Sequence, residues 1–107
     1  MQVIKDASFD SEILRNPRPT VVVFHAKWNT VSEIAVSVIT DLRANFGDLV
    51  ELRGMDVDEN PMTPCQYGVD ALPCFIVFRD WRVVNRAGPG FDRAQLQQLF
   101  EVAIAVD

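Results

Sequence analysis

The chain is 107 residues long, with 49% hydrophobic, 23% charged and 9% aromatic residues, and fifteen acids against ten bases leave it a net charge of -5. That composition fits one soluble domain near the commonest size and argues against a basic nucleic-acid binder. No apolar run approaches the ~20 residues needed to span a bilayer, and two cysteines with a single histidine are too few for a disulfide scaffold or a structural zinc site.

Asp6 to Arg15 carries Phe9, Ile13 and Leu14 at helical spacing, and Asn16-Pro17-Arg18-Pro19 stops that helix because proline cannot continue it. Thr20 to Ala26 is a continuous β-branched run, as in a strand buried on both faces. Thr30 to Phe46 holds the strongest helical pattern. Val31, Ile34, Ala35, Val38, Ile39, Leu42 and Phe46 repeat along one predicted face, Thr30-x-x-Glu33 gives a capping-box start, and Gly47 marks the end. Leu49 to Val57 reads as a strand leading into the acidic corner Asp56 to Pro61, and a short helix fits Met62 to Tyr67 before Gly68. Cys74 to Phe78 and Arg82 to Arg86 flank the turn Arg79-Asp80-Trp81 as a hairpin. Asp92-x-x-Gln95 opens a last helix whose face is Leu96, Leu99, Phe100 and Ala103. The order β-α-β-α-β-α-β-β-α predicts an α/β sandwich on a mixed sheet, within a single domain spanning 1–107.

Several segments together resemble thioredoxins over nearly the whole length: Phe24 to Ser32, Asp56 to Pro61, Tyr67 to Pro73, the strand after Pro73, and Gly88 before the last helix. The resemblance implies a three-layer α/β/α sandwich and a cis peptide bond at Leu72-Pro73. It also implies a shallow apolar groove at Trp28, Leu72, Pro73 and Gly88, where main chain pairs with an extended partner segment. The departures bear on chemistry. The tryptophan of the family is followed by C-G-P-C, whereas Trp28 is followed by Asn29-Thr30-Val31-Ser32. The nucleophilic cysteine falls at Asn29 and the resolving one at Ser32. The buried acid that assists proton transfer falls at Val23, and its accompanying lysine at Gly54. The family's catalytic roles therefore cannot be carried onto these positions. Side-chain oxygens at Asn29 and Thr30 would cap the helix donors that otherwise stabilise a thiolate.

Each feature also has a plainer interpretation. Cys65, placed at the start of the short helix, and Cys74 are expected as small buried hydrophobes. The alternatives are a relocated redox pair, or Cys74 alone as a reactive thiol beside Pro73. His25 is expected to be packed rather than a general base. Asp56, Asp58 and Glu59 are expected to form a solvated corner rather than a cation site, and Ser32 a capping residue rather than a nucleophile.

The favoured function is a redox-inactive thioredoxin-like module that binds a protein or extended peptide, as an adaptor, assembly factor or holdase-like chaperone. It needs no cofactor or metal, and its partner is neither nucleic acid nor membrane. One alternative is an atypical thiol-disulfide oxidoreductase using Cys74 with or without Cys65; another is a structural or dimerising domain. The first ten residues include Lys5, Asp6 and Asp10 and no apolar stretch, so no signal peptide is expected and the cytoplasm is the expected compartment.

Overall fold

The computed structural model describes residues 1–105. Its sheet holds β1 (Gln2–Val3), β2 (Thr20–His25), β3 (Glu51–Asp56), β4 (Cys74–Arg79) and β5 (Arg82–Ala87) in the spatial order β1-β3-β2-β4-β5. β3 pairs in parallel with β1 and β2, and β4 pairs antiparallel with β2 and β5. Three α-helices, α1 (Thr30–Arg43), α2 (Met62–Gln66) and α3 (Arg93–Ala103), are present among the described residues.

The pleat divides the strands between two cores. Val21, Val23, Phe75 and Val77 face Ala35, Ile39 and Leu42 of α1 and Leu96, Leu99 and Phe100 of α3. Val22, Phe24, Ile76 and Phe78 face the opposite layer, built from Ile4, Phe9 and Ile13, with Tyr67 and Val69 packed against it. Burial of β2 and β4 on both sides explains why their sequences are continuous apolar runs. The result is a three-layer α/β/α sandwich on a mixed sheet. Asp80 and Trp81 make the β4–β5 turn with positive φ at both positions, the pattern of a primed hairpin turn.

Three local expectations are corrected. The segment from Asp6 to Arg15 is not a regular α-helix but a 3₁₀ turn (Asp6–Ser8) and one wide turn (Asp10–Leu14), where Arg15 N–H donates to the carbonyl of Asp10. Its start is pinned across the chain instead. The Asp6 carboxylate accepts from the Met62 and Thr63 amides at 3.0 and 2.8 Å and from the Thr63 hydroxyl at 2.6 Å, capping α2.

α1 ends at Arg43 rather than Phe46, and its last carbonyls are taken up by tightened turns through Asn45 and Phe46. Val31 and Ile34, expected in the core, are 53% and 56% exposed. At about 100° per residue they lie roughly 80° and 140° around the helix from Ile39, outside the stripe that meets the sheet.

The cap of α1 is also one residue earlier than Thr30-x-x-Glu33 suggests. Asn29 is the N-cap, its Oδ1 accepting from Ser32 N–H at 2.8 Å, while Thr30 is the first helical residue. The expected capping arrangement does occur at α3, reciprocally between Asp92 and Gln95.

Candidate functional site

The link from β2 to α1 carries Asn29 and Ser32, the two positions that the resemblance to thioredoxins aligns with a dithiol. Asn29, four residues beyond the end of β2, has an extended backbone and caps the helix, so its side-chain oxygen occupies a first-turn donor. Ser32 is fully buried. Its hydroxyl lies 2.9 Å from the carbonyl of Asn29 and 3.2 Å from both the amide nitrogen and the carbonyl oxygen of Ala26. The hydroxyl thus locks the end of the strand to the first turn of the helix. Its partners are all backbone groups, which suits a capping role and supplies no general base.

Val23, beneath this turn, is completely buried in the α1–α3 core, where an unpaired carboxylate would be costly. At Gly54 an added Cβ would stand 2.8 Å from the Met1 methyl and 3.2 Å from His25 Nε2, so the absence of a side chain makes room for the imidazole. His25 is packed, as expected. Its ring nitrogens are buried without a hydrogen-bond partner among the described residues, and Nδ1 lies 3.6 Å from the Glu33 carboxylate.

Trp28 is 69% exposed, and its indole N–H donates to Asp58 at 2.8 Å. Asp56 holds that corner in shape, accepting from the amides of Asp58 and Glu59. Beside the indole, Trp28, Val57, Val69, Asp70, Ala71 and Leu72 line an open groove of about 240 Å³. The Leu72–Pro73 peptide bond is cis. Of the four expected binding residues, only Trp28 and Leu72 line this groove. Pro73 is buried beneath it, and Gly88 lines a separate concavity with Asn85, Pro89 and Gln98. Gly88 has no positive φ, and an added Cβ there would meet open space.

The cysteines part company. Both are free thiols. Cys74 is buried, as expected, whereas Cys65 is exposed and sits near the end of α2 rather than at its start. The short helix has few core-facing positions, and Thr63 and Pro64 take them. Burial pushes the Cys74 thiol up. The Arg86 guanidinium, 3.6 Å from its sulfur, pulls it part of the way back, and Asp70 adds to the rise. A thiol held protonated in this way is a poor nucleophile at neutral pH.

A family model for thioredoxin matches residues 1–101. The chain belongs to the thioredoxin family. It is 29% identical to thioredoxin from Rhodospirillum rubrum over 104 residues, which cover 97% of this chain and 100% of that protein. It is 32% identical to thioredoxin from Rickettsia typhi over 77 residues, 72% of this chain and 73% of that one. It is 29% identical to thioredoxin 1 from Synechococcus elongatus over 82 residues, 77% of each.

Within this thioredoxin framework, two features of the site escape sequence reasoning. Asp58 reads as one acid of a solvated corner, yet it holds the Trp28 indole from thirty positions away. Asp70 carries no motif signal, yet it lines the groove. Among the described residues, no helix is long and apolar enough to cross a membrane.

Proposed function

We propose that this member of the thioredoxin family is a redox-inactive binding module that holds an extended protein segment in the groove between Trp28 and Leu72. The observation that carries the proposal is Ser32. At the position that resemblance aligns with the resolving thiol stands a buried hydroxyl that accepts from Ala26 N–H and shares its one proton between the carbonyls of Asn29 and Ala26. With Asn29 capping the helix, both positions that would exchange a disulfide stabilise the β2–α1 turn instead.

The groove retains what binding needs without that chemistry. A large, exposed indole is the kind of residue that dominates interface energy, and the Ala71–Leu72 segment is open to main-chain pairing by an extended chain. An adaptor, assembly factor or holdase in the cytoplasm would use the surface in this way. An oxidoreductase acting through Cys74 finds less support. Its thiol is buried and raised, and Cys65 is exposed on another element.

The test is a titration of isotopically labelled protein with a cysteine-free unfolded polypeptide, followed by amide and indole resonances. Shifts centred on Trp28, Ala71 and Leu72 are expected. Shifts confined to α3 or the β5 edge, with Trp28 silent, would refute the groove.

A further inference from the structure

We infer that the segment taken by this groove is cationic. A Lys or Arg side chain lies on the exposed face of Trp28 within reach of Asp58 and Asp70, and a neighbouring apolar residue seats against Val57, Val69 and Leu72. The inference rests on the groove proposed above and adds the chemistry of its occupant.

Three observations converge on a positive charge. The first is the two carboxylates. Asp70 is part of the groove lining, and Asp58 is fixed to the indole edge of Trp28 by a 2.8 Å hydrogen bond. Among the described residues, neither makes an ion pair within 4.0 Å. That bond engages one oxygen of Asp58 and leaves acceptor capacity for an incoming ammonium or guanidinium.

The second is the indole itself. With 69% of Trp28 exposed and its N–H tied to Asp58, the ring is held in one orientation with its π surface available. Tryptophan gives the best face for a cation.

The third is the weakness of the local competition. Lys27 reaches Glu59 only at 4.0 Å between two well-exposed side chains, and Arg86 is committed to the Tyr67 carbonyl at 2.9 Å and to the Cys74 sulfur. Neither cation is spent on Asp58 or Asp70. An acidic occupant would face both carboxylates with no cationic side chain among the described lining residues, a repulsive element that selects against it.

Three blocked heptapeptides test this, Gly-Ser-Leu-Arg-Val-Ser-Gly and the same sequence with Gln or Glu in place of Arg. Each is titrated to several millimolar against the labelled full chain at low and high salt. The Arg peptide is expected to move the Trp28 indole N–H and the Leu72 amide, leaving Trp81 unmoved. The Gln peptide should bind about three- to tenfold more weakly, the size of effect expected from one cation–π contact with a partly screened charge pair. The Glu peptide should not bind. Asp70→Asn, which leaves the Trp28–Asp58 hydrogen bond in place, should narrow the gap between the Arg and Gln peptides, as should high salt.

Equal affinities for the three peptides, with Trp28 shifting in each, would overturn the charge preference and leave the groove standing. No shift at Trp28 with any peptide would overturn both.

Discussion

Ser32 Oγ lies 3.2 Å from both the amide nitrogen and the carbonyl oxygen of Ala26, six residues earlier in the chain. This side chain is the clasp between a central strand and the helix that follows it. The Ala26 carbonyl also accepts from Asn29 N–H at 3.0 Å, so Ser32→Ala strands the buried Ala26 N–H alone, and a loss of about 1–3 kcal/mol is expected in urea unfolding. Asn29→Ala removes the cap and should cost about 1 kcal/mol. Because the Asn29 side chain accepts from Ser32 N–H, the double variant should fall short of the sum. A Ser32→Ala protein as stable as the parent would show that the clasp is idle.

A second prediction concerns acid. Burial acts to raise the Asp6 carboxyl, but the bonds from the Thr63 hydroxyl, the Thr63 amide and the Met62 amide outweigh it and hold the group below the usual carboxylate range. A group whose folded value is depressed stabilises the fold at every pH above its unfolded value, and that contribution disappears as pH falls through the lowered folded value. Asp6→Asn keeps an acceptor at the start of α2 but cannot ionise. The variant should be less stable at neutral pH, and the difference should shrink steadily as pH falls through and below the usual carboxylate range. Unfolding midpoints measured across that range check it. A gap that widens in acid would contradict the assignment.

The two thiols give a third. Under native conditions a colorimetric thiol reagent should react quickly with exposed Cys65 and slowly with buried Cys74. Denaturant should release the second equivalent. Because the Cys74 thiol is raised, its native rate should climb only well into the alkaline range. In Cys65→Ser no fast phase should remain. A fast native reaction at Cys74 would reopen the oxidoreductase alternative.

Much of this architecture was legible because burial writes itself into periodicity. The runs Val21 to Phe24 and Cys74 to Phe78 are apolar at every step because the sheet is covered on both faces. Asp92 and Gln95 announced α3 because their bonds are local. Periodicity could not place Val31 and Ile34, since it does not show which part of a helix meets the sheet. It could not distinguish Asn29 from Thr30 as the cap, because either oxygen can serve and only the backbone angles decide. The partnership of Trp28 with Asp58 and the capping of α2 by Asp6 join positions 30 and about 55 residues apart, beyond any local signal. Family resemblance places Gly88 with Trp28, and the two line separate concavities.

The central claim is that the vacated dithiol positions leave a binding surface without redox chemistry, and turnover of insulin disulfides with dithiothreitol tests it most directly. The rate should equal that of dithiothreitol alone, and Cys65→Ser and Cys74→Ser should leave it unchanged. A rate clearly above that background, lost on Cys74→Ser, would contradict the claim and make the protein an oxidoreductase.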